Sequence, residues 1–545
     1  MRISDIMKYI FPVLSITFLL AFCSCIGCLF YCKANAKALK VKTWNERIEK
    51  HQQSNPSDET IVYLSSDKDI YIAGESILYN AFVLNAKTPE LTGKDRVLYL
   101  QVVNAATDST VWKEMYPISD GISYGRVNLA STLPTGKYLL RAFTAHSFFR
   151  HQPSLYAVKP IQIVKEASAI RHGWRPADEP PFPGKERLTV RVTTVKDTYT
   201  TKDKVTLKIT TTDENGTPRG ALVSLKVYDR LFHNPAFDHD IVKYFYDKRE
   251  SMTDKQPFLS DSIYGQMGSK KPEKQSLMLF NYEKSKTDFI STDDKGRFAL
   301  GTNAFSIGHR FFIKYFSEKE LTIRIADPFD TILAMHFKDK YDEKVIPPSN
   351  SNPFTNRLQY NHLLKEIVVQ SKGRQFGDPY VGYLDSVAKF EGNTDYVGEC
   401  GWLNCPACGH GTKPVEGTSY SELKPEKKLV ATSHPFPFGP DDYVKKPYQY
   451  PRYTEAELLK KFKMVVTRGF YPQATFYSPD YERDDKQLPD NRNVLYWHPS
   501  LMTNSKGEAT ITFYTSDIQS TFIGIAEAIG LNGYAGSGTT EFSVR

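Results

Sequence analysis

Apolar and polar positions alternate with a period of two over most of the chain beyond residue 59, and that period predicts strands. The stretch Glu59–Ala86 is the clearest case. Ile61, Tyr63 and Ser65 share one face and Val62 and Leu64 the other; Asp67-Lys68-Asp69 breaks the run. Ile77, Tyr79, Ala81 and Val83 then alternate with Leu78, Asn80, Phe82 and Leu84. Between the two runs, Gly74 supplies a turn that a side chain with a Cβ resists. Further strands are predicted at Arg96–Val103, Gly121–Ala130 with a change of phase near Gly125, Tyr138–Ala142 and Ile161–Val164. The same reading holds for Leu188–Val192, Val205–Ile209, Ala221–Val227, Arg310–Phe316 and Leu321–Ile325. A helix is predicted over Thr454–Val466, where Thr454 and Glu457 form a capping box and Leu458, Leu459, Phe462 and Val465 form the apolar stripe.

Proline divides the pattern. His172–Lys185 holds four prolines, and Pro347–Pro353 is a second proline-rich run; both read as linkers. The expected organisation is an N-terminal segment 1–36, a linker 37–58, a β-sandwich 59–166 and a linker 167–186. A second sandwich follows at 187–345, with a surface insertion at about 231–285. Then come a linker 346–356, a loop-rich region 357–490 and a C-terminal β segment 491–545. The fold class is mainly β: tandem sandwich domains with loop-rich insertions.

Composition sharpens this. Aromatics make up 13% of the chain, with 33 Tyr and 33 Phe, which favours strands and supplies several cores. The net charge of +8 is dispersed among interspersed acids and bases, so no nucleic-acid patch is expected. Near the N-terminus, Arg2 and Lys8 precede an apolar run from about Ile10 to Cys32. It reads as a signal cleaved after Ala34-Asn35-Ala36, as a lipoprotein signal acylated at Cys25 or Cys28, or as a retained anchor; each places the remainder outside the cytoplasm, in the periplasm or at the cell surface. Four of the seven cysteines lie in that run, so the rest is no disulfide-dense scaffold.

Tyr63, Asp67, Lys68, Tyr71, Gly74 and Glu75 match in spacing the opening of a macroglobulin-type β-sandwich. The segment Leu133-Pro134-Thr135-Gly136-Lys137-Tyr138, the turn from Asp213 through Gly216 and Pro218 to Asp229, and Trp497-His498-Pro499 with the following Asp517 are similar to further macroglobulin segments. The chain thus resembles the macroglobulin-domain (MG2-like) envelope proteins of the Bacteroidetes. The resemblance implies immunoglobulin-like/macroglobulin-like sandwiches and an endopeptidase-inhibitor label. The thioester motif that such inhibitors use for covalent trapping is missing from the sequence. Leu364–Gln370 resembles the first strand of a receptor plug, and alone carries the reading of an accessory to an outer-membrane TonB-type transport system.

For chemistry, Cys400, Cys405, Cys408 and His410 form the one unusual cluster. The expected state is one disulfide between two of Cys400, Cys405 and Cys408 and no metal site; the alternatives are tetrahedral zinc on three thiolates and an imidazole, and a redox pair at Cys405-Pro-Ala-Cys408, which lacks a surrounding thioredoxin-like pattern. No HExxH, GxSxG or P-loop pattern occurs, so neither a catalytic residue nor a cofactor is expected. Asp67, Lys68 and Glu75 are expected as turn and surface pairing groups. The functional expectation is a non-enzymatic binding or scaffold protein engaging a protein or glycan partner, associated with the membrane through its N-terminal segment. The alternative is an inhibitor of proteases without a thioester.

Overall fold

The computed structural model describes residues 59–148, 156–170, 187–238, 241–247, 259–268, 273–281, 285–317, 321–334, 393–425, 427, 439–451, 453–483, 488–530 and 533–545. The N-terminal run with Cys25 and Cys28, the linker 37–58 and the plug-like Leu364–Gln370 lie outside the described residues. Among the described residues no helix is long and apolar enough to cross a membrane. The architecture is mainly β, in several sheets grouped into two compact units. One unit draws its described residues from 59–262, 327–334 and 470–545, the other from 263–326 and 393–469.

The first sandwich of the first unit contains β1 (Thr60–Ser66), β2 (Ile70–Ile72), β3 (Ser76–Asn85), β4 (Val97–Asn104), β5 (Thr110–Pro117), β6 (Ile122–Asn128), β7 (Gly136–Phe143) and β8 (Ala157–Val164). One sheet runs β1-β3-β6 and the other β2-β8-β7-β4-β5. The alternation read from the sequence sets the core: Val62, Leu64, Ile77, Tyr79, Ala81 and Val83 face Leu98, Leu100, Leu140 and Ile161 inside the sandwich. The expected change of phase near Gly125 is not there: β6 pairs with β3 in unbroken register and its burial alternates straight through. Gly125 instead answers to packing, because a Cβ there would stand 2.5 Å from the Tyr116 ring.

The second sandwich is assembled from distant parts of the chain. Strands β9 (Thr189–Thr194), β10 (Thr198–Tyr199), β11 (Lys204–Thr212) and β12 (Ala221–Asp229) combine with four C-terminal strands, Val494–Met502, Glu508–Tyr514, Thr521–Gly530 and Ala535–Val544. The strand Thr521–Gly530 pairs along the whole of β12 on one side and Val494–Met502 flanks it on the other. The segment 491–545, expected as a separate piece, therefore completes the sandwich that begins at residue 187. Its core gathers Val205, Leu207, Val223, Leu225, Phe513, Phe522 and Phe542.

The sheet β1-β3-β6 is buried on both faces. Ile61, Tyr63, Phe82 and Leu84 pack against Leu222 and Ile529 of the second sandwich and against the helix Ile241–Asp247. Residues 231–238 were expected in a surface insertion; instead two 3-10 turns at Arg230–Phe232 and Pro235–Phe237 carry Phe232, His233, Asn234 and Phe237 into the interior. Phe232 joins Ile70, Leu78, Tyr228, Trp497 and Ile523 in the seam between the sandwiches.

The second unit holds β13 (Ile263–Gly268), β14 (Ser276–Asn281), β15 (Lys286–Ser291), β16 (Arg297–Leu300), β17 (Arg310–Tyr315) and β18 (Thr322–Ile325). It continues with β19 (Trp402–Leu403), β20 (Ser419–Leu423), β21 (Tyr443–Pro447) and β22 (Met464–Arg468). The strands order as β16-β13-β18, β15-β14-β17-β22 and β19-β20-β21. Residues 263–326, expected within the second sandwich, thus lie in a different unit. The predicted helix is shorter than its apolar stripe. It spans Glu455–Lys461 with the Thr454/Glu457 capping box in place, and Val465 is already in β22. Val465, Val466 and Thr467 are β-branched, and β17 offers a free edge for them to pair with.

Candidate functional site

The six resemblance residues lie at the seam of the first unit; Tyr63, Asp67, Lys68 and Tyr71 are buried rather than at the surface, and Gly74 and Glu75 are half-buried. Tyr71 Oη donates to Asp67 Oδ1 at 2.6 Å, and the Leu78 N–H donates to the same oxygen at 2.9 Å. Lys68 Nζ lies 2.7 Å from Glu75 Oε2 and donates to Asn493 Oδ1 at 3.0 Å. Asn493 Nδ2 in turn donates to Glu75 Oε1 at 3.1 Å, so a C-terminal residue closes the ring. Gly74 takes φ +98°, in the left-handed region that places Glu75 under the Ile72 N–H. Tyr63 Oη reaches across to the buried Glu527 of the second sandwich. Burial pushes the Asp67 carboxyl up to about 6, against the pull of Lys68 and of its hydrogen bonds.

Next to this ring stands a group that sequence reading missed. Asp69 Oδ1 pairs with Lys159 Nζ at 2.8 Å, and its Oδ2 lies 3.1 Å from His233 Nδ1. Asp69 Oδ2 also accepts from the Asn234 N–H at 3.0 Å. His233 Nε2 lies 3.4 Å from Asp238, and Tyr228 Oη is 2.9 Å from His233 Nδ1. Burial opposes the charge on Asp69, but Lys159 first, then His233 and Lys226, hold its carboxyl well below the usual range. Burial also opposes the charge on His233, yet hydrogen bonds to Asp238 and Asp69 outweigh it and push its pKa up to about 9. Asp69, His233 and Asp238 have the makings of a metal group, but the ammonium of Lys159 already neutralises Asp69. The arrangement is a paired ionic network between sandwiches. The only local signal for it was Asn234-Pro235, a turn after a strong strand.

The second unit holds the cysteine cluster. Val397 lies between two neighbours, bridging Leu403 on one side and Thr412 on the other. Two turns hang from this ladder. One runs from Gly398 to Trp402, closed by the Gly401 N–H to Gly398 O bond at 2.8 Å, and carries Cys400. The other is closed on Cys405 O by the N–H groups of Cys408 and Gly409 at 3.2 Å each. The three Sγ atoms lie within 4.8 Å of one another, and those of Cys400 and Cys408 are 3.4 Å apart. All three are free thiols; Cys405 is buried and Cys400 exposed. Desolvation first, then the neighbouring thiols, push Cys400 up to about 11, while hydrogen bonds from the backbone and thiol of Cys400 lower Cys408. His410 is exposed on the same loop and is not one of the three converging groups. Tyr396 Oη donates to Cys405 O at 2.6 Å, and the buried Tyr443 hydroxyl has no hydrogen-bond partner.

No family model matches the sequence, and no curated relative does. Among solved structures, the Salmonella alpha-2-macroglobulin is similar at 12% identity and a TM-score of 0.26, covering 90% of this chain and 40% of that one. The Escherichia coli alpha-2-macroglobulin activated by porcine elastase gives 11% identity and a TM-score of 0.25, covering 89% of this chain and 44% of that one. The Escherichia coli adhesin FdeC gives 12% identity and a TM-score of 0.16, over 48% of this chain and 62% of that one. The chain thus spans less than half the length of these two macroglobulins. The fold described above stands on its own strands and registers, not on these likenesses.

Proposed function

We propose that the chain is a non-enzymatic, extracytoplasmic binding or scaffold protein of macroglobulin-like sandwiches, which engages a protein or glycan partner in the cell envelope. The observation that carries this reading is the use of its strongly perturbed acid–base groups in the first unit. Asp67, Asp69, Asp229 and His233 are all buried and are engaged with neighbouring side chains or backbone. Groups arranged this way hold two sandwiches in one orientation and offer nothing to a substrate. A rigid frame suits display of loops and strand edges. The second unit exposes Tyr264, Phe289 and Phe316, at 62%, 60% and 54%, as aromatic contacts for a partner.

Photo-crosslinking in the producing cells tests this, with benzoylphenylalanine placed at Tyr264 or Phe289. A discrete adduct formed outside the cytoplasm, and competed by added unlabelled chain, is the expected result. Absence of an adduct at both positions, or cytoplasmic fractionation of the chain, would overturn the reading. Specific cleavage of one internal loop by proteases with a large change in hydrodynamic radius would favour an inhibitor instead.

A further inference from the structure

We propose that Cys400, Cys405 and Cys408 form a three-thiolate site for a single zinc ion. The geometry fits a metal better than a disulfide. Sulfurs bound to tetrahedral zinc at about 2.3 Å stand roughly 3.8 Å from each other. The observed 3.4 Å between Cys400 and Cys408, with Cys405 inside the same 4.8 Å cluster, has that scale. A disulfide brings two sulfurs to about 2.05 Å and has no use for the third.

The site is built into the backbone. The two turns deliver their cysteines from opposite ends of one short ladder, so the sulfurs meet without a long loop closing over them. Gly398 is the floor. A Cβ on it would stand 2.7 Å from Cys408 Sγ and 3.4 Å from Cys400 Sγ, so only glycine leaves room for the triangle. Gly411 fills a similar role behind it, because a Cβ there would meet Val397 O. The ligand set selects the ion: three thiolates without a carboxylate suit a borderline-soft cation and not calcium or magnesium.

The surroundings also need a staple. In the described residues between 393 and 451, the buried apolar side chains are Leu403, Cys405, Pro414, Leu423 and Tyr448. That is a small core for a three-stranded sheet whose shortest strand is Trp402–Leu403. Zinc bound by both turns would tie β19 to the segment that follows it, each thiol releasing its proton to solvent as the ion enters.

The test is metal analysis of the full chain isolated from its native envelope, with thiol-blocked intact mass on the same sample. One zinc per chain, with all three thiols alkylated only after chelation, is expected. Cobalt should replace it and show thiolate-to-metal charge-transfer bands with tetrahedral d–d bands. Cys400→Ser and Gly398→Ala should each weaken zinc binding by about a hundredfold or more, beyond the usual cost of losing one outer-sphere hydrogen bond. His410→Ala should keep the metal. Because Cys400 is exposed, its serine variant should fold, and an unchanged far-ultraviolet circular dichroism spectrum of the full chain, with unchanged amide-exchange protection in β20 and β21, checks this. A native mass lighter by two hydrogens with no metal would overturn the proposal in favour of a disulfide. Loss of zinc in His410→Ala would overturn the three-ligand set.

Discussion

At the scale of single residues, the seam between the sandwiches sets the stability of the first unit. Lys159 is buried against Asp69 and also donates to Phe237 O at 2.9 Å. Lys159→Met removes the lysine partner of the buried Asp69 carboxylate, leaving it to His233 and the Asn234 N–H, and should cost about 3–5 kcal/mol in chemical denaturation. The pH dependence has a definite sign. His233 is raised from 6.5 to about 9, so its contribution is complete below pH 6.5 and is lost as pH rises through 9. The loss amounts to about 3 kcal/mol by the linkage relation. Asp67 and Asp229, each raised from 3.8 to about 6, act in the same direction in a lower window, complete below 3.8 and lost through 6. The melting temperature should therefore fall between pH 6.5 and 9, and His233→Gln should flatten that slope. A slope unchanged by the substitution would mean that His233 carries no buried charge. The sequence showed Asp67, Lys68, Tyr71 and Glu75 as a set because they are close in the chain. It did not show Asp69 with Lys159 and His233, since nothing local links a turn, a strand and a 3-10 turn so far apart.

At the scale of elements, alternation was a good guide to strands and a poor guide to what covers them. The two faces of β1 could be told apart from the sequence, but not what covers each; all seven of its residues are buried because a second sandwich lies over it. The capping box was legible because both of its halves are local. Thr454→Ala removes the hydroxyl that accepts the Glu457 N–H at 3.3 Å. It should cost about 1 kcal/mol, read as faster amide exchange in Glu455–Lys461 with little change in the first unit. Gly125 marks the opposite case, a strand position where any side chain meets the Tyr116 ring. Gly125→Val should destabilise the first sandwich by about 1–3 kcal/mol through overpacking, measured by urea denaturation.

At the scale of the molecule, the surprise is connectivity. The second sandwich opens at β9 and is completed only by strands beyond residue 493, with most of the second unit inserted between the two halves. Period-two patterning cannot reveal this, because every strand looks the same whichever partner it has. A chain ending at Asp490 would keep β9–β12 but lack both neighbours of β12. It should lose the second sandwich and bare the outer face of β1-β3-β6, read as dye binding to exposed apolar surface and a larger scattering radius.

The ring through Asn493 has a consequence in time as well as in space. As the chain emerges from the ribosome or an export channel, Lys68 and Glu75 appear early and their amide partner appears hundreds of residues later. Until then β12 waits with open edges and an ion pair half enclosed, the condition in which strands find wrong partners. The last strands to arrive are therefore the latch of the assembly. Synthesis that stalls short of them releases an intermediate that quality-control proteases and holding chaperones would recognise, even though most of its residues are already made.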